Sequence, residues 1–104
     1  MVAAPDGRLS LNSTGNPALA SGGTGDVLTG LIGGFLAQRL PQWEAARLGV
    51  FLHGLAADQF AAQHGPRSLV AGDLLDLFPE ILGRFTQGSI PLSEEEICYK
   101  RVIL

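Results

Sequence analysis

Asn16-Pro17-Ala18-Leu19-Ala20-Ser21-Gly22-Gly23-Thr24-Gly25-Asp26 carries three glycines straight into an acidic residue, where the apolar spacing of a helix begins. Glycine-rich turns leave backbone N–H groups uncovered, and a helix N-terminus adds about half a positive charge at that place. Together they make a cradle for an anion. A carboxylate does not belong in a plain phosphate cradle, because two unit charges about 4 Å apart repel by roughly 4 kcal/mol at an effective dielectric of about 20. Asp26 therefore points to chemistry as well as binding. It can take a proton from a hydroxyl while the loop amides stabilise charge developing on a transferring phosphoryl group. A structural reading stands beside this one, since Asp and Thr are ordinary N-caps worth about 1 kcal/mol and glycines before a helix also serve as turn formers. Spacing alone leaves both open.

The run is neither a dinucleotide fingerprint nor a P-loop: Leu28 stands where the last glycine of G-x-G-x-x-G would fall, and Lys100 is the only lysine in the chain. A phosphate here must be held by backbone amides, a metal, or groups from elsewhere. The whole chain has 104 residues, 46% hydrophobic and 16% charged, with 14 glycines, which places it with one small α/β domain rather than with disordered chains. Its formal net charge of −3 gives no electrostatic support to a nucleic-acid or anionic-membrane role. Cys98 is the single cysteine, so it forms no internal disulfide and reads as a small tail residue. Met1 to Leu11 lacks the pattern of a signal peptide, and the longest apolar run, Val27 to Leu36, falls short of the ~20 residues a spanning helix needs. The expectation is a cytoplasmic protein with no membrane segment.

Val2-Ala3-Ala4 and Arg8 to Asn12 read as two short strands reversed at Asp6-Gly7, followed by a Ser/Thr/Gly/Asn-rich loop from Ser13 to Gly25. The first helix is expected from Asp26 to about Leu40, where Pro41 stops it, with Leu28, Leu31, Ile32, Phe35 and Leu36 on its apolar face. Gly30, Gly33 and Gly34 each cost about 0.5–1 kcal/mol there relative to alanine, and close approach of a neighbour is the expected compensation. The second helix runs from Gln42 to about Ala62 and is apolar around most of its circumference, hence buried on most sides. His53 reads as a satisfied buried residue, Asp58 as part of a more polar side, and His64 as part of the last turn or following loop. No metal-ligand spacing appears. A third helix is expected from Val70 to about Leu82, with Asp73 near its start and Pro79 ending its regular part near Leu77. Beyond Gly83 the texture is that of a tail, with Ser93 and Glu96 spaced as a capping box for one short helix and Glu94-Glu95-Glu96 as its solvated first turn.

Asn16-Pro17-x-x-Ala20-x-Gly22-Gly23-Thr24-Gly25-Asp26-Val27-Leu28-x-Gly30, followed by Leu52-His53-Gly54 and by Ala71-x-Asp73-Leu74, resembles the C-terminal portion of the ADP/ATP-dependent NAD(P)H-hydrate dehydratases, members of the ribokinase-like superfamily. The resemblance covers about Val2 to Leu82. It implies an α/β fold in which residues 1–82 form the C-terminal part of a ribokinase-like domain, a short N-terminal β-hairpin followed by about three α-helices, with 83–104 as a tail. It also implies a repair lyase that removes water from hydrated NADH or NADPH, with ADP or ATP as phosphoryl donor and Mg2+ offsetting phosphate charge. On this resemblance Asp26 is the acidic residue that meets the substrate hydroxyl, Asn16 joins it in substrate binding, Gly25 contacts the adenine nucleotide, and Gly22, Gly23 and Thr24 belong to the anion-hole loop. Ser21 stands where a threonine is common and Ala57 where a glycine is.

Members of this family are over twice as long, and the upstream half that supplies the first strands and a lysine-glycine nucleotide segment has no counterpart in these residues. The chain alone is therefore expected to be inactive, its apolar faces covered by another copy in a homo-oligomer or by that missing half. Two rival readings remain from the residues: a ribokinase-like kinase for a vitamin precursor, and a noncatalytic nucleotide-binding or assembly module in which Asp26 is only a cap.

Overall fold

Asp6-Gly7 turns the chain back on itself, so that β1 (Val2–Ala3) pairs antiparallel with β2 (Leu9–Ser10), Val2 opposite Ser10 and Ala3 opposite Leu9. Gly7 takes a positive φ of 94° in this turn, and the Asp6 carboxylate accepts from both the backbone N–H and the guanidinium of Arg8. The ladder is shorter than the two strands expected from the sequence, Val2 to Ala4 and Arg8 to Asn12. Beyond Ser10 the chain leaves it because Asn12 and Thr14 bond to a helix instead: the Asn12 amide donates to the Val50 carbonyl at 3.3 Å and the Thr14 hydroxyl to the Phe51 carbonyl at 2.8 Å.

The computed structural model describes residues 1–87, with side chains through Arg84; the short helix expected around Ser93 to Glu96, the acidic run and Cys98 lie outside the described residues. After a 3-10 turn at Pro17–Leu19 come α1 (Thr24–Ala37), α2 (Gln42–His64) and α3 (Ala71–Gln87). The hairpin followed by three helices is the arrangement expected from the sequence.

α2 is the centre of the molecule. Ala45, Leu48, Leu52, Ala56 and Ala57 along it are fully buried, covered by Phe35 of α1 on one side and by Leu74, Phe78 and Ile81 of α3 on the other. α1 lies so close that a Cβ at Gly49 of α2 would come within 2.5 Å of the Ile32 side chain. Close approach thus belongs to α2, and the expectation for α1 is corrected: no heavy atom stands within 4 Å of where a Cβ would sit at Gly30, Gly33 or Gly34, because α1 turns Leu31, Ile32 and Phe35 inward and leaves the glycines exposed.

α1 also stops earlier than Pro41 dictates. Arg39 adopts a left-handed φ of 68°, its N–H bonds the Leu36 carbonyl, and the Leu40 N–H reaches back to Phe35. This is a Schellman termination with Phe35 and Leu40 in apolar contact, and it ends the helix before the proline is reached.

Pro79 does not end α3, which continues to Gln87. An interior proline removes one N–H and costs about 3 kcal/mol or more. Here Pro79 sits on the exposed side, while Leu74, Phe78 and Ile81 at i, i+4 and i+7 are each under 9% exposed. Their burial, at about 1.5–3 kcal/mol per large side chain, outweighs the lost bond. Among the described residues no helix is long and apolar enough to cross a membrane.

Candidate functional site

The loop between β2 and α1 lies across α2. Its path is fixed at Gly54, where a Cβ would stand 2.7 Å from the Thr14 carbonyl carbon and 2.8 Å from the Gly15 nitrogen. One turn further along α2, Asp58 takes the Gly15 N–H at 3.0 Å on one oxygen and the Asn16 side-chain amide at 2.8 Å on the other. The Asn16 side-chain oxygen Oδ1 in turn accepts from Ala18 N–H at 2.9 Å and so caps the 3-10 turn. Both ends of the Asn16 amide are therefore engaged by protein, and Asn16 sets where the glycine run starts.

Past that turn the chain enters α1 through Gly23, which occupies the N-cap in a left-handed conformation with φ of 89°. A side chain there would be strained and would press on the Cβ of Ala71, 3.2 Å away. Since the helix starts at Thr24 rather than at Asp26, neither Asp26 nor Thr24 is the N-cap. The Thr24 hydroxyl points inward and donates to the Leu19 carbonyl at 2.7 Å, with the Ser21 carbonyl at 3.1 Å, so this residue clamps the loop from inside.

What remains outward is the glycine run together with Asp26. Gly22, Gly23, Gly25 and Asp26 are exposed, and among the described residues their backbone N–H groups have no protein acceptor. The Asp26 carboxylate, in the first turn of α1, makes no side-chain hydrogen bond among the described residues. It borders an apolar groove of about 450 Å³ lined by Val27, Gly30, Leu31, Leu75 and Phe78. A carboxylate oxygen beside uncommitted amides can accept a proton from an alcohol held next to them.

His53 supports the loop from below. Its Nε2 lies 2.8 Å from the Thr24 carbonyl, which can only accept, so Nε2 carries the proton. Burial holds its pKa below the usual 6.5, with the bond to Thr24 opposing that shift. The unfolded chain therefore binds more protons than the folded one below about pH 6.5, and the stability His53 contributes is full above that value and lost as pH falls. Melting temperatures measured from pH 7.5 down to 5 are expected to drop less steeply in His53→Gln than in the unaltered chain.

Asp58, Thr14 and Gly54 are the residues that sequence reasoning missed as parts of the site. The available signal was a glycine and an aspartate one turn apart, Gly54 and Asp58, on a helix otherwise buried nearly all round. Among the described residues no group of three metal-ligating side chains comes together. A divalent cation here fits only as the companion of a bound polyphosphate, held by phosphate oxygens and water with at most one carboxylate.

Comparison with known proteins places these residues in a lineage. The sequence profile described as NAD(P)H-hydrate dehydratase matches residues 1–80. The chain is 51% identical over 82 residues to the bifunctional NAD(P)H-hydrate repair enzyme Nnr of Moorella thermoacetica, a match covering 79% of this chain and 16% of that protein. It is 56% identical over 68 residues to the Nnr of Vibrio cholerae, covering 65% of this chain and 14% of the relative. To the ADP-dependent (S)-NAD(P)H-hydrate dehydratase of Bacillus subtilis it is 44% identical over 85 residues, 82% of this chain and 31% of the relative. The matched stretch is thus a minor share of each relative's length. These relatives speak for the dehydratase reading over the vitamin-precursor kinase. With the profile spanning the hairpin, the glycine loop and nearly all of the three helices, the chain belongs to the ribokinase-like NAD(P)H-hydrate dehydratase family.

Proposed function

We propose that this chain supplies the proton-accepting and anion-stabilising edge of an ADP- or ATP-dependent dehydratase that converts hydrated NADH or NADPH back to the usable dinucleotide. The single observation that carries the reading is the exposed Asp26 carboxylate beside the uncommitted amides of Gly22, Gly23 and Gly25. Hydroxide is a poor leaving group, so the hydroxyl is first phosphorylated. Asp26 takes the proton from the hydroxyl oxygen as that oxygen bonds the terminal phosphorus of the nucleotide. With ADP as donor, the bond to the bridging oxygen breaks and AMP leaves. The carbon–oxygen bond of the phosphorylated hydrate then breaks, inorganic phosphate departs with that oxygen, and a proton is lost to restore the dihydronicotinamide.

In this scheme the amides of Gly22, Gly23 and Gly25 hold the transferring group, while Thr24, whose N–H and hydroxyl both bond the Ser21 carbonyl, holds the loop from inside and Asn16 sets the height of the loop. A Mg2+ ion carried on the nucleotide phosphates would offset their charge. A cytoplasmic setting goes with a repair role on these coenzymes. The apolar groove beside Asp26, with Leu75 57% exposed on its rim, is covered in the working enzyme by the remaining domain or by another copy.

The test follows recovery of near-ultraviolet absorbance when hydrated NADH or NADPH is mixed with ADP, Mg2+ and the protein that carries these residues in its full length. Recovery dependent on ADP or ATP is expected, and none from the 104-residue chain alone. No recovery from the full-length protein with either nucleotide would sink the proposal.

A further inference from the structure

A polyphosphate on the glycine loop sets several negative charges beside Asp26, yet the loop itself holds no cation. Five arginines fall among the described residues. Arg8 is paired with Asp6, Arg47 bonds Ser10 and lies over the Trp43 ring, and Arg84 is engaged with Gln59 and Glu80. Arg39 sits past the C-terminal end of α1, about 20 Å from the loop at 1.5 Å per helical residue. Arg67 is different. It is exposed in the connection between α2 and α3 and makes no hydrogen bond or ion pair among the described residues. It also lines a cleft of about 510 Å³ whose opposite wall is Pro17, Ala20 and Ser21, the residues that lead into Gly22.

The connection that carries Arg67 is held in place on both sides. Gly65 ends α2 with φ of 80° and its N–H bonded to the Ala61 carbonyl, Leu69 is 4% exposed, and Ala71 abuts Gly23. The backbone of Arg67 is thus fixed across the cleft from the loop, while its side chain is uncommitted.

We propose that Arg67 is a nucleotide-binding residue whose guanidinium supplies the countercharge for the phosphate chain of the adenine nucleotide. This rests on the function proposed above and extends it from the amides to a side chain on a separate segment. A guanidinium donates two parallel bonds to phosphate oxygens and stays charged at every working pH, whereas lysine offers a point charge and glutamine offers none.

The experiment measures ADP affinity by calorimetry, and KM against kcat for ADP, in the full-length protein and in its Arg67→Gln and Arg67→Lys variants. Loss of one charge-assisted contact predicts an affinity for ADP about 10-fold weaker in Arg67→Gln, falling on KM rather than kcat, with most of it recovered in Arg67→Lys. The salt dependence of ADP binding should also be shallower in Arg67→Gln. Unchanged affinity in both variants, or lysine no better than glutamine, overturns the proposal. A wild-type protein that binds ADP and fails to dehydrate the hydrate overturns the proposed function instead, and the affinities still decide Arg67.

Discussion

Replacing Asp26 by asparagine is expected to lower dehydratase turnover by about 10²- to 10⁴-fold, the range for removing a positioned general base, while leaving the fold intact. Asparagine keeps the shape and removes the charge and the basicity. Because Asp26 is exposed, is not the cap of α1 and bonds nothing through its side chain among the described residues, its structural contribution is confined to the favourable placement of an anion in a helix's first turn. That placement is worth about 0.3–1 kcal/mol at an exposed site. The two readings of the aspartate thus separate on different instruments. A proton acceptor gives a large fall in kcat with a melting temperature nearly unchanged; a mere helix-start residue gives a small loss of stability with kcat retained. Turnover within a factor of about three of wild type, under conditions saturating in ADP and hydrate, would return the noncatalytic module to first place.

The glycine run was legible from sequence because its signal is local: three glycines, a threonine and an aspartate within five positions can be read without knowing what lies across from them. The three helices were legible for the same reason, through the i, i+3, i+4 spacing of Leu28, Leu31, Ile32 and Phe35 and the near-continuous apolar content of α2. Helix ends were less so. The stop of α1 depends on Arg39 entering the left-handed region, where glycine is the usual occupant, and the persistence of α3 through Pro79 depends on how much Leu74, Phe78 and Ile81 bury. The underside of the site was not legible at all. Thr14 meets Phe51 across 37 residues and Gly15 meets Asp58 across 43, pairings that no window of periodicity contains. Asp58 looked like a polar residue on a helix flank, and it is the carboxylate that fixes two successive residues of the loop.

Gly54→Ala tests whether that underside matters, and it is expected to be the most destabilising single change in the described residues outside the large apolar side chains. The added methyl would lie 2.3 Å from the Thr14 hydroxyl oxygen, which can rotate away, but also 2.7 Å and 2.8 Å from the backbone at Thr14 and Gly15, which cannot. The loop must lift from α2. Lifting strains the Thr14 bond to Phe51 and the Gly15 and Asn16 bonds to Asp58 together, since all three lie within a few residues of the contact. Overpacking alone costs about 1–3 kcal/mol, and a partial loss of these bonds adds to it, so a loss of about 3 kcal/mol or more is expected in urea unfolding followed by Trp43 fluorescence. Gly33→Ala is the matched control. It adds the same methyl where no atom stands within 4 Å and should raise stability by about 0.5–1 kcal/mol through helix propensity. Asp58→Asn separates the clash from the tether: it keeps the shape, weakens both bonds to the loop and adds no atom in the contact. If Gly54→Ala and Asp58→Asn both reduce ADP affinity, the cradle at Gly22 to Gly25 depends on a loop pinned from below. If Gly54→Ala unfolds no more readily than Gly33→Ala, the crossing at Gly54 is looser than its distances require, and the site is held by the 3-10 turn and α1 alone.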